Sequence, residues 1–368
     1  MDDATRVVHA GQDAPRQGEP FLPGPTFAAP FHLVGAPEDA PFGYGRDDNP
    51  TWRRYEAALG GLEDAEAVLF SSGMAAVSAV VLPALRPGDV LVACSDGYPG
   101  IREIAHQHLE PRGVEVRLVP TAEEAVRGAL DGATLVWVET PSNRGLDVLG
   151  IAALAEAAHA AGATLAVDNT LATALGQRPL DLGADVVMTS ASKALSGHSD
   201  LLMGVVTTRD PSRAEAVRAW RTHTGAIAGP FEAWLAHRSL ATLDVRLARA
   251  EHNALAIAEL LAARDDVSGV RYPGRPGDPA FATAALQMKR FGSVLGFALE
   301  SAERAQAFLA ACRLVTEATS FGGLHTSAER RLRWGTDEVS EGFIRFSAGI
   351  EATEDLVADV TAALDGTR

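Results

Sequence analysis

An α/β layer fold with a mostly parallel sheet, followed by a smaller α+β domain, is what the sequence predicts. Three observations carry that prediction. Between about 51 and 235, short apolar runs alternate with helical stretches, the pattern of an α/β fold. Several of those runs are continuous and β-branched, as suits strands buried on both faces. From about 236 a long helical stretch leads into sparser strand-like segments. With 368 residues, 47% of them hydrophobic and 22% charged, the chain has the apolar content of a soluble protein with two domains.

The elements follow in order. Residues 1–50 are rich in proline and glycine, as in Pro23-Gly24-Pro25 and Pro41-Phe42-Gly43. They read as an extended arm that packs on its own domain or on a partner subunit. In the domain 51–235, strands are predicted over 64–70, 89–94, 114–119, 134–139, 164–168, 185–190 and 203–208, which makes a seven-stranded sheet. Helical patterns at 75–85, 101–110, 122–130 and 151–161 fall between them. The domain 236–368 takes up the helical stretch 231–264, then Tyr272-Pro273-Gly274. Strand 293–299, helix 302–311, strand 343–348 and helix 353–365 complete it.

Composition excludes several functions. The net charge of −16, with no basic tail, argues against nucleic acid and anionic membrane surfaces as partners. No apolar run reaches the roughly 18 residues of a membrane span. The start Met1-Asp2-Asp3-Ala4 lacks the basic and apolar regions of a signal peptide, so a cytoplasmic protein is expected. Cys94 and Cys312 have no CxxC partner, against a disulfide scaffold or zinc ribbon. No metal site is expected either: HExxH is absent, and His106 and His108 would point to different sides of a helix. No GxGxxG follows the first strand, which removes the motif-based case for a nicotinamide enzyme.

Ligands of open α/β sheets sit at the carboxyl ends of strands, and three strand ends carry polar residues that packing does not require. Ser71-Ser72-Gly73-Met74 precedes a helix and offers free backbone N–H groups to an anion such as phosphate; an ordinary N-cap serine with a turn glycine looks the same. Asp168, after Leu165-Ala166-Val167, puts a charge at a buried strand edge, where it needs a cation or donors; an Asx turn is the alternative. Lys193 lies just past the strand 185–190, beside the hydroxyls of Ser190 and Ser192. It is one of only two lysines against thirty arginines, and Lys289 has no comparable setting. A lysine amine, a carboxylate for a pyridine nitrogen and a phosphate cup together fit pyridoxal 5'-phosphate.

The chain resembles the Cys/Met-metabolism family of pyridoxal-phosphate enzymes nearly end to end. The resemblance rests on Tyr44-Gly45-Arg46, Ser72-Gly73-Met74, Glu139-Thr140-Pro141-Ser142-Asn143 and Val167-Asp168-Asn169-Thr170. It continues through Ser190-Ala191-Ser192-Lys193, Gly197-His198-Ser199-Asp200, Ser320-Phe321-Gly322-Gly323 and Ile344-Arg345-Phe346-Ser347. It implies the aspartate aminotransferase-like fold (fold type I of these enzymes). Lys193 would be the Schiff-base lysine and proton shuttle, and Asp168 the partner of the pyridine nitrogen. Ser72, Gly73, Met74, Ser190 and Ser192 would bind phosphate, and Tyr98 would stack on the ring. Asn143, Ser320 and Arg345 would hold the substrate carboxylate. Tyr44 and Arg46 would reach a neighbouring subunit's phosphate, which makes a dimer the minimal active unit and implies a homo-oligomer, commonly a tetramer.

The resemblance implies γ-elimination on a sulfur amino acid, L-cystathionine to cysteine, 2-oxobutanoate and ammonia. γ-Replacement on an O-acylhomoserine by a thiol is the alternative, with a β-lyase or a catalytically inactive regulator behind it. Tyr98-Pro99-Gly100-Ile101 lacks the cysteine that methionine γ-lyases carry after the stacking tyrosine. Thr319 stands where cystathionine γ-lyases often have glutamate. The segment 324–342, with His325 and Arg330-Arg331-Leu332-Arg333-Trp334, departs from the usual pattern.

Overall fold

The computed structural model describes every residue except 13, 15 and 336, so those positions of the arm and of the segment 324–342 lie outside the described residues. Seven strands form the larger sheet: β1 (Glu66–Phe70), β2 (Val90–Cys94), β3 (Glu115–Val119), β4 (Leu135–Glu139), β5 (Thr164–Asp168), β6 (Val186–Thr189) and β7 (Gly204–Thr208). Their spatial order is β1-β7-β6-β5-β4-β2-β3. All neighbours are parallel except β7, which runs antiparallel to both β1 and β6. Each strand lies within two residues of its predicted span.

These strands form because their residues find apolar cover on both faces. In β4, Leu135 and Trp137 join a core with Val77 and Val80 of the helix Gly73–Val81, while Val136 and Val138 join Leu154 and Ala158 of the helix Ile151–Ala160 on the other side. Burying each such side chain contributes about 1.5–3 kcal/mol. Strand order reverses between β2 and β4, so their carboxyl ends diverge into a crevice at that point. The register sets Glu139 of β4 beside Asp168 of β5.

The second sheet has five strands, β8 (Ser268–Arg271), β9 (Val294–Ala298), β10 (Thr316–Glu317), β11 (Ser327–Arg330) and β12 (Phe343–Ser347), in the order β10-β11-β12-β9-β8. Its core joins Tyr272, Phe297, Phe308, Ile344 and Phe346 to Leu356 of the helix Thr353–Asp365. β8, β10 and β11 go beyond the two strands predicted in this region. They are short and polar, without an apolar run to mark them.

Two expectations are corrected. The stretch 231–264 is two helices, Pro230–Leu240 and Leu243–Ala262. Buried Arg246 holds the break: it donates to Ser239 O at 2.9 Å and to Ala194 O and Leu195 O at 2.7 and 3.1 Å, which also pins the loop after Lys193. The arm is not extended from its start. Asp2 caps a helix over Asp3–His9, accepting from Ala4 N at 2.9 Å, and Val7 enters the core beside Trp52, Tyr55 and Leu59.

Candidate active site

A cleft of about 390 Å³ opens at the reversal point, roofed by the second domain. All the residues assigned to the site from sequence line it except Tyr44 and Arg46.

At one end, Ser72 caps the helix Gly73–Val81, accepting from Ala75 N at 3.1 Å. A Cβ on Gly73 would stand 2.9 Å from Ser190 Oγ, so only glycine lets this helix start so close to the turn after β6. The result is a cup in which the first N–H groups of the helix and a serine hydroxyl converge, shaped for a phosphate. Ser192 lines the same wall, but its hydroxyl is engaged with the backbone, accepting from Met203 N at 2.8 Å.

Asp168 ends β5 in the middle of the cleft. One carboxylate oxygen accepts from Thr170 N at 3.0 Å and from Thr170 Oγ1 at 2.5 Å; the other takes no hydrogen bond among the described residues. Burial pushes its pKa up to about 6, against the opposing pull of the Thr170 hydrogen bonds and Lys193. Such a carboxylate calls for a cation in the cleft. Beside it, burial and the Asp168 charge drive Glu139 well above the usual carboxylate range. Glu139 Oε2 accepts from Tyr98 N at 2.6 Å and so anchors the residue before the helix Pro99–Ile104. The Tyr98 ring stays 44% exposed, over the cleft mouth.

Lys193 donates from Nζ to Ser320 Oγ at 2.6 Å. Burial, then the nearby Arg345 charge, lowers its pKa, which favours the free amine. Ser320 holds φ +80°, a left-handed conformation uncommon for serine, fixed on one side by Lys193 and on the other by Arg345, which donates to its carbonyl at 3.2 Å. Arg345 also donates to Asn143 Oδ1 at 2.6 Å and to Glu329 Oε1 at 2.5 Å. Lys289, by contrast, lies on the surface and pairs with Asp3 at 3.0 Å.

This donor set fits pyridoxal 5'-phosphate: a buried, half-satisfied carboxylate, an amine with lowered pKa and an anion cup lie around one cleft. Tyr44 and Arg46 fall outside it. Tyr44 is 46% exposed, and the Arg46 guanidinium sits 5.5 Å from the Tyr44 ring centroid. Sequence reasoning did not single out Glu139, Thr170, Glu329 or Arg331 as site residues. Glu139 carried a usable signal, a second acid at the end of a buried strand; Arg331 stood within the segment 324–342 already marked as unusual, and Glu329 carried none, since it meets Arg345 only through the second sheet. A larger depression of about 620 Å³ shares no lining residue with the cleft, and its charges are already paired, as Arg221–Glu56 and Arg218–Glu66.

Comparison with known proteins gives a consistent picture. A family model described as Cys/Met metabolism PLP-dependent enzyme matches residues 4–365. A putative cystathionine gamma-lyase of Streptomyces coelicolor is 54% identical over 99% of this chain and 94% of its own length. A cystathionine gamma-synthase of Mycobacterium tuberculosis is 38% identical over 98% of this chain and 96% of its own. The crystal structure of metB from Corynebacterium glutamicum superposes with a TM-score of 0.95 at 35% identity, covering 100% of this chain and 99% of that one.

Proposed function

The chain belongs to the Cys/Met metabolism PLP-dependent enzymes, and on that premise we propose that it cleaves L-cystathionine by γ-elimination to L-cysteine, 2-oxobutanoate and ammonia. The observation that carries the reading is the Lys193 amine, held 2.6 Å from Ser320 Oγ between buried Asp168 and Arg345. Bound pyridoxal 5'-phosphate supplies an electron-withdrawing ring that acidifies first the Cα–H and then the Cβ–H of an attached amino acid.

The chain's residues do the rest. Asp168 would keep the ring nitrogen protonated, and the charge it would meet there would offset its own burial. The N–H groups after Ser72 and the Ser190 hydroxyl would hold phosphate, and Tyr98, fixed through its N–H by Glu139, would pack against the ring. Arg345 and Asn143 receive the substrate carboxylate, Arg345 through charge-assisted bonds. Lys193 would hold the cofactor and would carry protons at Cα and Cβ of the substrate; its lowered pKa favours the free amine that a base requires. Ser320 Oγ orients that amine.

The second reading is γ-replacement, O-acylhomoserine plus a thiol. Thr319 favours it: the cleft wall there presents a hydroxyl, and the acid it donates to at 3.3 Å, Glu329, lies behind the wall and is already paired with Arg331 and Arg345. Similarity to the synthase of Mycobacterium tuberculosis points the same way, while the more similar Streptomyces coelicolor protein favours the lyase.

The working unit in this reading is a homodimer or a higher homo-oligomer in the cytoplasm. Among the described residues the two arginines that line the cleft, Arg331 and Arg345, are both paired with Glu329, and the arm exposes Phe21 and Val34, each 94% accessible, for a second copy to cover. Arg46 of that copy would supply the missing charge. Mass spectrometry of products from L-cystathionine, and from an O-acylhomoserine with a thiol, tests the reading. Cysteine with 2-oxobutanoate supports the lyase; a thioether formed from O-acylhomoserine, with cystathionine untouched, supports the synthase.

A further inference from the structure

Behind Arg345 lies a buried row of charges that the reaction as described does not use. Glu329 of β11 offers the same oxygen, Oε1, to Arg345 and, at 2.7 Å, to Arg331. Arg331 Nε donates to Asp337 at 2.7 Å, and Asp337 stands 3.7 Å from Arg144. Glu329 Oε2 accepts from Trp334 Nε1 at 2.9 Å and lies 3.3 Å from Arg333, which pairs outward with Glu317 at 2.6 Å. Arg331 and Arg345 line the cleft; Glu329 and Asp337 lie behind it.

The charges of this row do not cancel. Over these ion pairs, four guanidinium groups (144, 331, 333 and 345) face three carboxylates (317, 329 and 337), which leaves one positive charge; the further acid that acts on Arg345, Glu139, is driven towards its neutral form by burial. A row built only for stability gains little from buried ions, since apolar packing of the same volume does as well or better. One unspent positive charge is what a single substrate carboxylate requires. Were Glu329 paired with Arg345 alone, that pair would be neutral, and an incoming carboxylate would have to compete for a guanidinium already satisfied.

We propose that Arg331 is a positioning residue for substrate: by sharing Glu329 with Arg345, it keeps the substrate-facing guanidinium fixed in place yet electrostatically unspent. The inference rests on the proposed role of Arg345 as the carboxylate site. It assigns a function to the segment 324–342, where the chain departs from its family's pattern.

The test uses holoenzyme and reads binding from the cofactor's absorption. The two probes are L-norleucine, an amino acid with no leaving group, and 1-aminopentane, the same chain without the carboxylate. Arg331→Met is expected to weaken norleucine binding about tenfold or more and to leave aminopentane unchanged. Arg331→Lys restores the charge and is expected to retain most of the norleucine affinity. Asp337→Asn removes a negative charge from the row and is expected to tighten norleucine binding, even where it lowers the melting temperature.

A merely structural role predicts that Arg331→Met and Asp337→Asn weaken both probes together, and that result overturns the proposal. Unchanged norleucine affinity in Arg331→Met overturns it as well. If Arg331→Met does not fold, the opposite signs expected for Asp337→Asn on norleucine affinity and on stability still decide the matter. Arg345→Met separates the layers: loss of norleucine binding there with none in Arg331→Met defeats this inference alone, whereas no loss in Arg345→Met defeats the carboxylate assignment beneath it.

Discussion

Asp168→Asn should make the cofactor-free protein more stable and the loaded protein worse at holding its cofactor. Burial raises the Asp168 pKa from 3.8 to about 6. An acid whose folded pKa is raised contributes stability below its unfolded pKa and loses it as pH climbs through the folded one. At about 1.4 kcal/mol per pKa unit, the ionised carboxylate costs the cofactor-free fold about 3 kcal/mol at pH 8 and about half that at pH 5. Asparagine can still accept from Thr170 N and Thr170 Oγ1, so the local turn survives while the charge goes. Urea unfolding of both cofactor-free proteins at pH 5 and pH 8 measures the difference, and dialysis of the holo forms measures retention. The variant should gain stability, more at pH 8 than at pH 5, and shed cofactor faster. A variant no more stable than the parent at pH 8 would refute the reasoning that Asp168 waits, unpaired, for a cation.

Three further outcomes are expected. Lys193→Ala should abolish the label fixed by borohydride reduction of the holoenzyme, while Lys289→Ala, which only removes a surface pair with Asp3, should leave it intact. Arg46→Ala should weaken cofactor retention. Hybrids of Arg46→Ala with Lys193→Ala protomers should regain activity if Arg46 acts across the dimer, since one site per dimer is then wholly native; inactive hybrids would mean it acts within its own chain. Glu63, buried at the end of the helix Pro50–Glu63 with its pKa pushed up to about 7, should oppose folding as pH rises through 7. Glu63→Gln should therefore raise stability by about 2–3 kcal/mol at pH 8 and change little at pH 4, as read from urea midpoints.

The larger sheet was legible because buried parallel strands require continuous apolar residues, and Leu135–Val138 or Leu165–Val167 fit nothing else as well. Asp168 and Lys193 stood out for the converse reason, as polar residues that strand packing does not require; Asp168 also makes the Asx turn that was its alternative, accepting from Thr170 N at 3.0 Å. β11 was hidden because Ala328 is its one apolar residue, and the buried Glu329 beside it reads as surface until its arginines are known. The break near Thr242 was hidden because Leu240, Ala241 and Leu243 keep a helical, apolar texture, and only the reach of Arg246 back to Ser239 O marks it. Tyr44 and Arg46 came from resemblance alone. Their own chain gives them no place in the cleft, so no local pattern could have shown their use.

The central claim is a cofactor lysine that drives γ-elimination, and mass-resolved products from L-cystathionine test it most directly. The account predicts cysteine and 2-oxobutanoate in equal amounts, formed at about one turnover per second or faster by the native holoenzyme and not by Lys193→Ala. Homocysteine with pyruvate, or the same products from the Lys193→Ala variant, would contradict it.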